Sequence, residues 1–392
     1  MSGHRTIHIG VIAGEASGQL LAADVIGHLM KTMDADIRLS GVGGGELERL
    51  GLSSFFDPDD IALTGVTAVV ARLPKLLSHL RLTVKKFTAD PPDLLLLVDS
   101  PDFSSRVAKR IKAQQPHLPI AKYVAPTVWA WRPERAQKMV GVIDHVFSLF
   151  PFEPDIMAAL GGPPTTYVGH RLLADDELMG IAGARKTRRY HDDKLKLLLL
   201  PGSRGSEIKS LLPDMGNAIL ELENRGHELD ITIPAVERHL NLVRDGVLQW
   251  PVVSRPKIVT GRAAQLDAFS TADVALAASG TVLLELALAD VPAVSIYRID
   301  PMMRPFINMI KVWSPAIPSV IADRAINPEY YDFMIKAGML ARQIEEIAAP
   351  NSLKRQTILE GYQIVRDKMA LKKPPHETVV EVLQTMLATT RH

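Results

Sequence analysis

Leu197-Leu198-Leu199-Leu200-Pro201-Gly202-Ser203-Arg204-Gly205-Ser206-Glu207 is a leucine run cut short by a proline and two glycines. Four consecutive leucines predict the end of a strand buried on both faces, as in a parallel sheet. An amphipathic pattern starting at Ile208 predicts a helix directly after the turn. A small-residue turn between strand and helix gathers free backbone N–H groups at the positive end of a helix dipole, a place suited to phosphate. Arg204 adds a fork of donors that matches a pair of phosphate oxygens. On its own the segment reads equally well as an ordinary turn with a solvated arginine. A second turn of the same kind, Ala278-Ser279-Gly280-Thr281-Val282-Leu283-Leu284-Glu285, lies downstream and favours the phosphate reading.

Outward from this stretch the chain alternates. Strands are predicted at 195–200, 231–233, 257–260, 274–278 and 293–297, with helices between them. The first half repeats the texture. Strand 7–13 leads through Gly14-Glu15-Ala16-Ser17-Gly18 into a helix from about Gln19 to Lys31. Strand 37–42 ends at Gly43-Gly44-Gly45, and strand 94–99 is followed by Ser100-Pro101-Asp102 and a helix to about Gln114. Further strands fall at 119–124 and 145–150. Strands interleaved with helices predict right-handed parallel crossovers, hence an α/β fold of two doubly wound, Rossmann-like domains facing a cleft. The expected division is 1–170, a linker at 171–189 with a solvated charged run from Lys186 to Asp193, and 190–350. The C-terminal helices within 351–392 are expected to return to the first domain. In such sheets ligands sit beyond the carboxyl ends of the strands.

Composition narrows the function. The chain has 392 residues, 47% of them apolar, enough for two cores. Lys and Arg number 45 against 44 acids, so the net charge of +1 argues against a broad nucleic-acid surface. With no cysteine there is no disulfide or thiolate chemistry, and the twelve histidines show no paired metal spacing. No signal-peptide pattern and no run of 18 apolar residues is present, which predicts a cytoplasmic protein.

Several motifs, in matching order, resemble the lipid-A-disaccharide synthase family. They are Gly14-Glu15-x-Ser17-Gly18, Asp99-x-Pro101-Asp102-Phe103, Tyr123-x-x-Pro126-x-Val128-Trp129-Ala130-Trp131-Arg132, Gly169-His170, Pro201-Gly202-Ser203-Arg204-Gly205 and Ser279-Gly280-Thr281. The resemblance runs from about residue 7 to the C-terminus. It implies a GT-B glycosyltransferase, monomer or homodimer, peripheral on the cytoplasmic face of a Gram-negative inner membrane. It further implies an inverting reaction that joins UDP-2,3-diacylglucosamine to 2,3-diacylglucosamine 1-phosphate and releases UDP, without a metal or other cofactor.

The residues fit that chemistry. Inverting transfer needs a base for the acceptor hydroxyl and positive groups on the departing diphosphate. Asp99, closing a buried strand, is the candidate base, with helix capping as its alternative; Asp102 is expected to cap. Glu15 is a second catalytic candidate or a plain helix-start acid. Ser17, Gly18, Trp129 and His170 are candidates for the acceptor side, and Trp131 is expected in the core. Gly202, Ser203, Arg204, Ser279, Gly280, Thr281 and Arg324 are candidates for the nucleotide. By resemblance, Glu285 would hold the ribose.

From Val66 to Phe87, apolar residues at helical spacing alternate with basic ones, and Pro74 is expected to start or kink a helix. Leu73, Leu77, Arg81, Lys85 and Lys86 are candidate contacts with an anionic membrane, against the alternative of a core helix with a basic outer face. Met302–Trp313 is a candidate companion. Some positions depart from the family pattern: Gln19 where an aspartate is usual, Ser319 for asparagine, Asp323 for glycine and Asp332 for glutamine. Asp323 is expected to bring a negative charge near the nucleotide. These departures motivate a second reading, a divergent paralogue with altered donor or a non-catalytic binding role. A UDP-sugar epimerase is a third, which leaves the basic stretch unexplained.

Overall fold

A computed structural model describes residues 5–62, 72–186, 194–299, 304 and 309–389. Val66, Val69, Val70, residues 187–193 and half of Met302–Trp313 lie outside them. The chain forms two compact units, one of residues 1–171 and 371–392, the other of residues 172–370.

The first unit is a six-stranded parallel sheet. Its strands are β1 (Thr6–Ala13), β2 (Asp36–Val42), β3 (Leu94–Val98), β4 (Ile120–Tyr123), β5 (His145–Ser148) and β6 (Thr165–Tyr167), in the order β2-β1-β3-β4-β5-β6. Alternation along β3 explains its leucines. Leu94, Leu96 and Val98 join one apolar cluster with Leu21, Val25 and Leu29 of helix Ala16–Thr32. Leu95 and Leu97 face the other, with Val84 and Phe87 of helix Leu73–Ala89 and Val107 and Ile111 of helix Pro101–Gln114. Both faces are covered, so the strand has no polar side to show in sequence. The winding reverses between β1 and β3, which makes the loops after them a topological switch point.

The second unit repeats the plan with β7 (Leu195–Leu200), β8 (Leu229–Pro234), β9 (Lys257–Val259), β10 (Val274–Ala278), β11 (Ala293–Tyr297) and β12 (Glu329–Tyr331), ordered β12-β11-β10-β7-β8-β9 and all parallel. Its switch point lies between β7 and β10. Those are the strands that end in the two small-residue turns.

Two boundaries differ from expectation. Within the stretch expected as a linker, Asp176–Lys186 is a helix of the second unit. Leu178, Ile181 and Ala182 are buried at helical spacing, and the Arg185 guanidinium donates to the carbonyls of Asp290 and Phe269. At the other end, helix Leu353–Met369 stays with the second unit, where Ile358, Tyr362 and Val365 are buried and Asn327 donates to the Tyr362 hydroxyl. Only helix Pro375–Thr389 belongs to the first unit, burying Val379, Val380, Leu383 and Leu387 in the cluster of β1. Gly169 has φ +91, and a Cβ there would lie 2.3 Å from a Leu371 methyl, so only glycine fits where the chain re-enters this unit.

Candidate functional site

In the second unit, a cavity of about 650 Å³ opens beyond β7 and β10. Gly202, Ser203 and Arg204 line one side, and Ser279, Gly280, Thr281 and Glu285 another. Helix Gly205–Asn224 starts at the first turn and helix Thr281–Leu288 at the second, so both dipoles point their positive ends into the cavity. Gly202 has φ +104, and a Cβ there would meet the Glu207 carboxylate at 2.6 Å. Arg204 is mostly exposed and donates to Glu207 at 2.9 Å, the i,i+3 pairing of a helix start. The Ser279 hydroxyl is engaged with the Pro315 carbonyl at 3.2 Å.

Glu285 is the most buried of the acids that line the cavity. Burial pushes its carboxyl up, against the Arg262 guanidinium at 2.7 Å and the Gln265 amide at 3.2 Å. Arg262 also holds Asp175 at 2.6 Å. Arg262, Gln265 and Glu207 line the cavity without having been expected there. A glycine–arginine pair opening a helix was the available signal for Arg262. Arg324 is exposed and not among the lining residues.

The departures from the family pattern find structural roles. Ser319 is fully buried, and its hydroxyl accepts from Ile326 N–H at 3.3 Å. Asp323 is the left-handed C-cap of helix Ile317–Ala322, exposed and not among the residues that line the cavity. Asp332 accepts from Ile299 N–H at 3.0 Å. In the first unit Gln19 uses both ends of its amide, donating to Gly14 O at 2.8 Å and accepting from Gly44 N–H at 3.2 Å. An ionised aspartate has no donor for the first of these bonds.

The first unit's switch point gathers Asp99, Gly18 and the Glu15 segment. Asp99 and Ser100 have φ of 58° and 42°, and Val124 and Arg132 in the loop after β4 have 74° and 52°. Left-handed non-glycine residues cost energy, and here four of them cluster in two adjacent loops. Gly18 is tight against the turn: its Cβ would lie 3.2 Å from that of Asp99. The Asp99 carboxylate accepts from Ser100 N–H at 2.9 Å. Ser100 is the N-cap of helix Pro101–Gln114 and makes no side-chain cap bond. Asp102 is not a cap either: it is exposed and pairs with Arg135 at 3.1 Å. Glu15 is the N-cap of helix Ala16–Thr32, also without a side-chain cap bond, and Ser17 beside it is exposed.

Trp129 and Trp131 lie in a turn. Residues 127–131 form a turn closed by Ala130 N–H and Trp131 N–H to the Thr127 carbonyl. Trp129 is half-buried; its indole donates to Glu153 at 3.1 Å and its ring meets Phe152 edge-on at 5.3 Å. Trp131 is not a core residue: the guanidinium groups of Arg132 and Arg135 lie over it, 4.2 and 5.4 Å from the ring centre. His170 stacks on Phe150 at 5.9 Å, and burial pushes its imidazole down to about 4, so it is neutral at pH 7.

Helix Leu73–Ala89 has Pro74 in its first turn, as a helix start requires. Its apolar stripe faces the sheet: Leu80 and Val84 are buried, and Leu77 packs half-buried on the same cluster. Leu77 is therefore a core contact. Arg81, Lys85 and Lys86 face solvent, as does Leu73 at 44% exposure. Among the described residues no helix is long and apolar enough to cross a membrane.

Comparison with known proteins bears on the whole chain. The family model for lipid-A-disaccharide synthetase matches residues 9–371. The chain is 37% identical over 353 residues to the lipid-A-disaccharide synthase of Bradyrhizobium diazoefficiens, covering 89% of each. It is 37% identical over 379 residues to that of Nitrobacter winogradskyi, covering 96% of this chain and 94% of the relative. Among solved structures, MurG of Acinetobacter baumannii aligns with TM-score 0.59 at 14% identity, covering 97% and 99% of the two chains. The UDP-GlcNAc 2-epimerase of Neisseria meningitidis, bound to UDP-GlcNAc, aligns with TM-score 0.57 at 13% identity over 97% and 100%. At such identity these structures establish the GT-B fold alone.

Proposed function

The chain belongs to the lipid-A-disaccharide synthetase family of glycosyltransferases, and on that premise we propose how its residues divide the reaction. The donor is UDP-2,3-diacylglucosamine and the acceptor 2,3-diacylglucosamine 1-phosphate. The second unit holds the donor: Arg204 and the N–H groups of the turns at Gly202–Ser203 and Ser279–Thr281 take the diphosphate, and Glu285 takes the ribose. The first unit supplies the base. Asp99 accepts the proton of the acceptor's C6 hydroxyl as that oxygen bonds to the donor's anomeric carbon. The bond from that carbon to the diphosphate breaks with its electron pair leaving on UDP, and the configuration inverts. Donors already aimed at the diphosphate stabilise its growing charge. Glu15, Ser17, Gly18, Trp129 and His170 border the acceptor.

The observation that supports this most is the coincidence of chemistry with topology. In each sheet the side chains the reaction needs stand in the loops at the switch point, where parallel sheets bind ligands. The basic face of Arg81, Lys85 and Lys86 supports peripheral attachment to the anionic cytoplasmic face of the inner membrane, where acylated substrates reside. The test is incubation of the purified chain with both substrates in detergent, followed by mass spectrometry. Disaccharide 1-phosphate and UDP in equal amounts are expected. UDP without disaccharide would mean hydrolysis, and an altered UDP-sugar with the acceptor untouched would favour the epimerase reading.

A further inference from the structure

Lys122 is the anomaly of the first unit's core. It lies on β4, between Ala121 and Tyr123, and is 1% exposed. Its side chain reaches toward helix Pro101–Gln114, where Ser104 Oγ at 3.4 Å is the acceptor described for it. Ser104 is itself buried, and its hydroxyl lies 3.1 Å from the Asp99 carbonyl and 2.9 Å from that of Ser100. The ammonium is thus linked through one hydroxyl to the two left-handed residues of the turn. Burying an ammonium on a single long hydrogen bond is costly, and a structural role would be served at least as well by methionine. Burial pushes Lys122 down to about 8, while the carboxylates of Asp99 and Asp102 oppose that, Asp99 more strongly. At pH 7 it therefore remains mostly charged. The other charged groups around the turn are Arg135, paired with Asp102, and Glu15 at the start of helix Ala16–Thr32.

We infer that Lys122 is a positioning residue, whose link through Ser104 to the carbonyls of Asp99 and Ser100 keeps the turn in its reactive conformation. The inference rests on Asp99 being the base. A turn displaced from its reactive geometry slows the chemical step and leaves binding alone, so removing the ammonium lowers kcat without raising KM. The experiment measures kcat and KM for the parent, Lys122→Met, Lys122→Arg, Ser104→Ala and Asp99→Asn, with UDP affinity and thermal midpoint for each.

Lys122→Met is expected to keep its midpoint and UDP affinity while its kcat falls roughly tenfold and its KM for either substrate stays that of the parent. Ser104→Ala, a small change that preserves the ammonium, should lower kcat the same way by less, and it decides the matter if Lys122→Met fails to fold. Lys122→Arg, which keeps the charge and a donor, should hold kcat nearer the parent's than Lys122→Met does. An unchanged kcat in both Lys122→Met and Ser104→Ala, with Asp99→Asn inactive, would overturn the inference and leave the base in place. A fully active Asp99→Asn would instead overturn the assignment of the base.

Discussion

Arg204 shows how a residue's present partner sets what its removal does. The guanidinium is already held by Glu207, so a diphosphate must draw it away from that carboxylate. Arg204→Ala should weaken UDP binding by about 1.5–3 kcal/mol, the range for a charge-assisted hydrogen bond. Glu207→Gln should strengthen it, because the competing acceptor loses its charge. Calorimetry with UDP checks both, and equal affinity in all three proteins would return Arg204 to solvent. At this scale the sequence was legible wherever a residue type carried its own reason. Glycines and serines announce the strand-to-helix turns that line the second unit's cavity. Lys122 and Glu153 were not legible, because a single charged residue within an apolar segment does not say which buried group it faces. Arg262 needed the cavity to be seen.

Among the elements, the loop and short helix around Glu153 have a definite pH signature. The carboxylate accepts from Trp129 and from the N–H groups of Leu149 and Phe150, the latter two at 3.0 Å. Burial nevertheless pushes it up to about 7. The folded value lies above the ordinary one. Its contribution is therefore fully present below about pH 4.5 and is lost as pH rises through 7. Glu153→Gln would leave one set of donors facing an amide N–H, at a cost of about 1–3 kcal/mol. The parent should thus be more stable than the variant by more at pH 5 than at pH 8. Thermal denaturation at both values checks this, and a gap that widens with pH would mean that the three donors outweigh burial.

Helix Leu73–Ala89 illustrates what periodicity leaves open. Spacing shows that Leu77, Leu80 and Val84 share a face, but not whether that face meets a sheet or a bilayer. Here it meets the sheet, and only the basic face remains for a membrane. Each basic residue near an anionic surface is worth about 1 kcal/mol, so replacing Arg81, Lys85 and Lys86 by glutamine should reduce partitioning on the order of a hundredfold. Co-sedimentation with anionic vesicles at low salt is the readout, and equal binding of parent and variant would remove this helix from the membrane contact.

For the whole molecule, the two doubly wound sheets were legible because β3, β7 and β10 are nearly continuous runs of Leu, Val or Ala, and β1, β2, β7 and β10 end at glycine-bearing turns. β6 and β12 were not, being TTY and EYY with no aliphatic residue between them. The course of the C-terminus was only half legible: two amphipathic helices follow one another, and nothing in their patterns says that one stays with the second unit. Helix Pro375–Thr389 completes the first unit's core with four buried side chains. At about 1.5–3 kcal/mol each they match the whole stability of a typical domain. Truncation after Ala370 should therefore unfold the first unit and leave 172–370 protease-resistant. An intact first unit in the truncated protein would show the helix to be accessory.

The division of labour is tested most directly by one variant read two ways. Asp99→Asn changes the shape of the first unit very little and leaves the nucleotide cavity untouched. Disaccharide formation from UDP-2,3-diacylglucosamine and 2,3-diacylglucosamine 1-phosphate should fall by on the order of 10²–10⁴, the usual cost of losing a general base, while UDP affinity stays that of the parent. Undiminished disaccharide formation by Asp99→Asn, or a loss of UDP binding equal to the loss of rate, would contradict it.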